Sequence, residues 1–424
     1  MPLPSPPIPR IVIVGAGFGG ITLARALRKA PVDVLLIDKQ NFHTFQPLLY
    51  QVATAGLEAE EIAHAVRGMF HGQRNFAFRM DTVAGIDMLR KRVLFEDEAE
   101  ISYDFLVLAA GAVTNYFGVE GAESNGFSLK SLPEAIRLRS HIIGMFERAS
   151  EHPELIDDGA LSLVVVGGGP TGVEMAGALY ELACKVLARD FPALAMQRVS
   201  IRLIEALDRL LTPFHPDSQA HALKALRKRG VDVMLDRQVV RVTKTRVYLS
   251  DGAELQAHTL IWAAGVQANP LAGALGLERV RGGRLAVAPD LSLPGYPEVF
   301  AIGDVAGSKD ETGTLHPQLA PVAMQGAHHV ARTIRARLEG KASSPFVYTD
   351  RGIMATIGRN TAVAELWGGI RTRGFVAWVM WLVLHLMQLV GFRNKLQVLI
   401  NWAWNYATYD RSARLILPIG EKRE

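Results

Sequence analysis

Two stretches of the chain share one order of apolar and polar positions. In the first, the apolar run Ile11–Val14 leads into a glycine cluster, then an amphipathic helical pattern, then a second apolar run ending at Asp38. In the second, the run Leu161–Val166 leads into another glycine cluster, a longer helical pattern and a run ending at Glu205. Each reads as a strand, glycine turn, helix and strand, the unit of a parallel sheet. Strand-like alternation follows each copy, over Phe78 to Phe95 and Val231 to Leu249. Each set then closes on a matching apolar run, Phe105 to Gly111 and Leu260 to Gly265. A third related run, Glu298 to Asp304, has no glycine cluster of its own. The pattern predicts an α/β fold of two nested Rossmann-like dinucleotide-binding domains. The first domain takes residues 1–118 and 286–342, the second 119–285, and a C-terminal module 343–424.

That module has a different texture. Five of the six tryptophans lie beyond Asn360, and Phe375 to Val390 is almost unbroken apolar sequence. The apolar run is shorter than the roughly 20 residues a spanning helix needs. Arg371 and Arg373 precede it, and Arg393 and Lys395 follow. The next segment carries a polar stripe at helical spacing: Asn394, Gln397, Asn401, Asn405 and Thr408. Amphipathic, Trp-rich and basic-flanked, the module predicts an anchor lying in one membrane leaflet. A buried or dimer-forming helix pair is the alternative that the pattern leaves open.

Composition changes this picture in two places. A single cysteine, Cys184, excludes an internal disulfide and a redox cysteine pair, and fits a reducing cytoplasm. A net charge of +4 without long charge blocks gives no support to nucleic-acid binding. The Pro-rich start, Met1 to Arg10, lacks the apolar core of a signal peptide and reads as a short disordered lead-in. No metal-ligand pattern is expected.

The glycine clusters carry the chemistry. Gly15, Gly17 and Gly20 form GxGxxG, with Gly19 inside the loop. The first glycine permits a tight turn, the second lets backbone approach a pyrophosphate, and the third lets helix and strand pack closely. Asp38 is placed to accept from a ribose hydroxyl. Gly167, Gly169 and Gly172 repeat the motif with Glu205 as the acid, and a carboxylate there favours NADH over NADPH, although Arg209 lies close by. Asp304, after Gly303 at a strand end, suits the ribityl hydroxyls of a flavin, and Gly111 and Gly265 close the two matching strands. Two such sites imply a relay from NADH to FAD. With no cysteine pair, electrons leave the flavin directly for a quinone, a protein carrier or oxygen.

With these pieces assembled, the chain resembles the type II NADH dehydrogenases, single-subunit NADH:quinone oxidoreductases that pump no protons. The resemblance rests on Asn41 to Thr54 (NFHTFQPLLYQVAT), Gly167 to Gly177 (GGGPTGVEMAG) and Val299 to Ala306 (VFAIGDVA). It extends through Met354 to Arg359 (MATIGR) and Gly391 to Lys395 (GFRNK). It implies FAD, NADH and a membrane quinone, ubiquinone or menaquinone, with the enzyme peripheral on the cytoplasmic face of the cell membrane as a homodimer. It implies Glu174 as a proton-handling residue and Gln325 as a quinone-site residue. Gln325 is the second glutamine of the family's AQxAxQ motif, and Pro321 replaces the first. Two other readings share the glycine motifs: a reductase of a ferredoxin- or rubredoxin-type carrier, and a redox-sensing protein that binds NADH and FAD.

Overall fold

The computed structural model describes residues 8–417 except 195 and 412, so most of the expected disordered lead-in lies outside the described residues. The chain forms two compact units. One takes the described residues up to His43, His64–Val113 and Val266–Thr349; the other takes Thr44–Ala63, Thr114–Gly265 and the residues from Asp350 onward.

The first unit is built on a six-stranded sheet. Arg10–Val14 lies at its centre, pairing in parallel with Asp33–Asp38 on one side and Phe105–Leu108 on the other. Phe76–Met80 extends the sheet beyond the second strand, and Tyr296–Ala301 extends it beside Phe105–Leu108, both in parallel. Ile11, Ile13, Leu36 and Phe300 are fully buried on one face beneath the Phe18–Ala26 and Ala320–Leu338 helices. Strands buried on both faces read as continuous apolar runs, as these do.

The second unit repeats the arrangement. Ser162–Val166 pairs in parallel with Ser200–Ile204 and with Thr259–Trp262, and Asp232–Met234 and Phe127–Ser128 complete a five-stranded sheet. Each copy also carries a three-stranded antiparallel meander, Val83–Asp87 to Glu100–Ser102 and Val239–Val242 to Glu254–Gln256, where alternation was expected.

The units divide the chain differently from the three segments that the repeat predicts. Residues 266–285 fold with the first unit because Ala268, Ala272 and Leu285 fill a cluster with Val12, Val14 and Leu106. The segment after Asp350 folds with the second unit. Its sheet, Gly352–Thr356, Ala362–Leu366 and Arg371–Gly374, lies against the Pro170–Glu181 helix. Gly177 permits that approach, since a Cβ there would stand 2.5 Å from the carbonyl oxygen of Ile357.

Candidate functional site

In the first glycine loop the backbone leaves room for nothing but hydrogen at two positions. Gly15 has φ +109°, and a Cβ would sit 2.3 Å from the carbonyl oxygen of Ala109. At Gly20 a Cβ would meet the Gly15 carbonyl at 1.9 Å, while Gly17 has nothing within 4 Å of that position. The loop is thus closed against the end of the neighbouring Phe105–Leu108 strand and against its own first glycine, and open at Gly17, where a pyrophosphate must approach, ahead of the Phe18–Ala26 helix N-terminus. Asp38 ends the second strand and accepts from the backbone N–H groups of Ala16 (2.6 Å) and Gln40 (2.8 Å). Burial raises its pKa, against the pull of those two donors. Asp304 sits in the turn after Tyr296–Ala301, at a Gly303 with φ +69°, and its carbonyl accepts from Gln318 Nε2 at 3.0 Å. Gly111 holds φ +70° after the Phe105–Leu108 strand. These residues fit an adenine dinucleotide on the first unit.

The second loop has the same construction. Gly167 has φ +106° and lies 2.5 Å from Ala264 Cα at the Cβ position. Gly172 would clash with the Gly167 carbonyl at 1.8 Å, and Gly169 is open. Glu205 ends its strand and accepts from the N–H groups of Gly168 and Leu207. Arg209, the residue that could have welcomed a 2′-phosphate, is paired with Asp208 at 2.6 Å. Gly265 packs under Phe117, whose ring carbon would be 2.7 Å from a Cβ.

A third feature of the second unit was only half legible in the sequence. A cavity of about 360 Å³ is lined by Tyr50, Glu174, Thr356, Trp378, Trp381 and Leu382, among others. Glu174 enters it from the first turns of the Pro170–Glu181 helix and is buried. Its carboxylate accepts from the Thr356 N–H at 3.2 Å and from the Trp381 side chain. Burial nevertheless dominates and pushes its pKa up to about 8, so the carboxyl is mostly protonated at neutral pH. The Tyr50 and Thr356 hydroxyls lie 3.1 Å apart, Gln51 Nε2 donates to the Tyr50 oxygen at 3.0 Å, and Trp402 Nε1 donates to Gln51 Oε1 at 2.8 Å. Toward its polar end, the buried Arg411 donates to the Thr54 carbonyl (2.6 Å) and to Glu181 (3.1 Å). His385 stacks on Trp381 at 3.8 Å and donates to its carbonyl, and burial pushes its pKa down to about 4. It is neutral at pH 7 and no proton donor there.

Gln325 is placed otherwise. It belongs to the first unit, on the Ala320–Leu338 helix, and both ends of its amide are engaged by Thr349. Nε2 donates to the Thr349 carbonyl and Oε1 accepts from its N–H, each at 2.9 Å. The structure therefore shows Gln325 as a clip on backbone, and it is not among the residues that line the cavity. Pro321 falls in the first turn of the same helix, where a missing N–H costs no intrahelical bond.

Of the polar stripe after Gly391, Asn394, Asn401 and Asn405 turn inward, Gln397 is exposed, and Thr408 donates to the Trp404 carbonyl of its own helix. Asn394 Nδ2 donates to the carbonyls of Glu60 and Ala63, Asn401 to Glu61, and Asn405 to the carbonyl of Gly56. The opposite, apolar side is left uncovered: Met387 is 67% exposed, Phe392 82%, Ile400 57% and Trp404 59%. The Phe392–Thr408 helix thus sets Asn394, Asn401 and Asn405 against protein and apolar side chains outward, while the Phe375–Gln388 helix buries Ala377 and Trp381 and leaves Val376, Val383 and Met387 exposed. Among the described residues no helix is long and apolar enough to cross a membrane.

The family resemblance had pointed to Glu174 but not to Tyr50, Gln51, Thr356 or Trp402. The first three lie in stretches quoted above without a role, and nothing local marks Trp402 or Arg411.

Residues 9–327 match the model of the pyridine nucleotide-disulphide oxidoreductases, and residues 351–408 match an NDH2 C-terminal domain. A type II NADH:quinone oxidoreductase of Mycobacterium tuberculosis is 38% identical over 95% of this chain and 89% of its own length. One from Haemophilus influenzae is 30% identical over 84% of this chain and 86% of its own. In fold, the chain is similar to an NDH2 of Plasmodium falciparum solved with NADH, at TM-score 0.88 and 18% identity, covering 97% of this chain and all of that one.

Proposed function

Because the chain belongs to the type II NADH:quinone oxidoreductases, FAD enzymes that oxidise NADH with a quinone, we propose how its own residues divide that work. The first unit, with Gly15, Gly17, Gly19, Gly20, Asp38, Gly111 and Asp304, holds FAD. The second, with Gly167, Gly169, Gly172, Glu205 and Gly265, holds NADH. Bound there, FAD would supply the two-electron redox chemistry that links NADH oxidation to quinone reduction. Glu205 accepts from the adenosine ribose hydroxyls, and its charge, with Arg209 held by Asp208, disfavours a 2′-phosphate.

The quinone head occupies the cavity beside Glu174. The observation that carries this reading is a buried carboxyl, still protonated at neutral pH, in an apolar, Trp-lined cavity. Two-electron reduction makes both quinone oxygens basic, and each takes a proton. Solvent supplies one, and Glu174 hands over the other and is reloaded from solvent, a general-acid role for which a pKa near the working pH is suited. Gln325 acts by holding the segment at Thr349 in place.

The outward apolar side of the two C-terminal helices lies in one leaflet, with Arg371, Arg373, Arg393 and Lys395 at the headgroups. That seating brings a lipid-soluble quinone to its cavity without a spanning helix, so the reaction carries no proton across the bilayer. The supply of NADH puts this surface on the cytoplasmic face. We also propose the homodimer that the family resemblance implies, to be read from the mass of the detergent-solubilised enzyme.

The test is anaerobic. NADH is added to the purified holoenzyme, then a soluble quinone analogue, while flavin absorbance is followed. Prompt bleaching and prompt recovery are expected. Bleaching without recovery would overturn the assignment of the cavity and of the acceptor.

A further inference from the structure

The hydrogen-bond chain behind the cavity has a direction, and an outward-facing helix sets it. An indole N–H can only donate. The Gln51 atom facing Trp402 Nε1 at 2.8 Å is therefore the carbonyl oxygen, and the amide nitrogen must face Tyr50. That nitrogen donates to the Tyr50 hydroxyl, so the phenolic proton turns to its one other hydrogen-bond partner among the described residues, Thr356 Oγ1, at 3.1 Å. Reversing the last bond would leave a buried phenol proton without an acceptor among the described residues, which costs more than a made hydrogen bond returns. Tyr50 stays a neutral phenol throughout, because burial and the nearby Glu174 push its pKa upward.

Thr356 Oγ1 then accepts from Tyr50 and keeps its own proton to give. Among the described residues it has no second hydrogen-bond partner, although Thr356 is 3% exposed and lines the cavity. We infer that the Thr356 hydroxyl is a fixed donor to a quinone carbonyl oxygen, and that Trp402, through Gln51 and Tyr50, is the positioning residue that fixes its direction. This rests on the reading of the cavity as the quinone site.

The consequence is chemical. A carbonyl oxygen is an acceptor only, and it becomes a better one as electrons arrive, so a preset donor favours oxidised quinone on entry and strengthens during reduction. The consequence is also structural. Trp402 belongs to the Phe392–Thr408 helix, whose other side carries Ile400 and Trp404 outward. Seating that helix on residues 51–63 and setting the polarity of the acceptor site are one event.

The experiment uses holoenzyme with a quinone analogue labelled with carbon-13 at its carbonyls, followed by infrared difference spectroscopy. Trp402→Phe keeps an aromatic ring and removes the indole N–H donor. Tyr50→Phe, Thr356→Val and Thr356→Ser complete the set, each first checked for retained FAD and for bleaching by NADH. In the parent enzyme the bound carbonyl band should lie below that of quinone in detergent. It should move up toward the free position in Trp402→Phe, Tyr50→Phe and Thr356→Val, and stay low in Thr356→Ser. With Trp402→Phe the quinone KM should rise roughly fivefold, the loss of about one neutral hydrogen bond, with the KM for NADH unchanged. Ala178→Phe, which fills the cavity, separates the two readings. If it abolishes quinone binding while the Trp402→Phe band stays in the parent position, the donor assignment is overturned. If Ala178→Phe binds quinone normally, the cavity is not the quinone site and both readings fall.

Discussion

Replacing Glu174 by glutamine tests the acid at the centre of the cavity through stability as well as rate. Glutamine keeps a carbonyl to accept from the Thr356 N–H and matches the shape of the protonated acid, but it cannot ionise. In the unfolded chain Glu174 titrates near its ordinary value of 4.5, and in the folded protein near 8. Below pH 4.5 the carboxyl is protonated in both states and costs nothing. As pH rises, the unfolded chain releases its proton first, and stability falls by about 1.4 kcal/mol per unit. The fall ends when the folded carboxyl also ionises, near pH 8, with a total loss of about 5 kcal/mol. For a protein of this size that is a difference of about 5–10 °C in melting midpoint. The glutamine variant should therefore melt close to the parent at pH 4.5 and progressively above it toward pH 8.5, while quinone turnover falls by about a hundredfold or more. Parent turnover should decline on the alkaline side as the acid is lost, and the variant should lack that limb. Differential scanning fluorimetry across pH and steady-state rates with a soluble quinone read both. Parallel melting curves for the two proteins from pH 4.5 to 8.5 would refute the claim that burial holds this carboxyl protonated.

Alanine at Gly20 or Gly172 would place a Cβ 1.9 or 1.8 Å from the carbonyl of Gly15 or Gly167. Gly20→Ala should emerge without FAD, and Gly172→Ala with FAD that NADH no longer bleaches; absorbance spectra distinguish the two. Arg411→Met should destabilise the protein by about 3–5 kcal/mol, because it strands the half of Glu181 that the guanidinium holds and the Thr54 carbonyl. Thermal denaturation checks this, and Arg411→Lys should recover little without the fork. Glutamate at both Ile400 and Trp404 should move the enzyme from the membrane pellet to the soluble fraction. Glutamine at Arg371, Arg373, Arg393 and Lys395 should weaken binding to anionic vesicles by about 1 kcal/mol per charge, an effect that high salt should reproduce on the parent protein.

The two dinucleotide folds were legible because every signal there is local. Apolar runs buried on both faces, glycines forced by positive φ or by contact under 2 Å, and the acids that follow all lie within one strand–turn–helix–strand segment of each copy. The C-terminal helices were legible as amphipathic, since the stripe Asn394, Asn401 and Asn405 follows from spacing alone. Which side met protein was not, because an amphipathic pattern is the same whether its polar side faces water or a set of buried carbonyls. The partners that settle it, the carbonyls of Gly56, Glu60 and Ala63, lie more than 300 residues away in the chain.

The cavity beside Glu174 shows the same division more sharply. Sequence determined that a glutamate stands at position 174, one turn into a glycine-loop helix, and the family resemblance marked it. Only the tertiary structure decided that it is buried under Trp381 and Thr356, which raises its pKa, and that Gln325 spends its amide on Thr349. Desolvation and hydrogen-bond direction depend on what closes over a group from every side. For this cavity the closing residues come from Tyr50, Glu174, Thr356 and Trp402, four points of the chain that no local pattern connects.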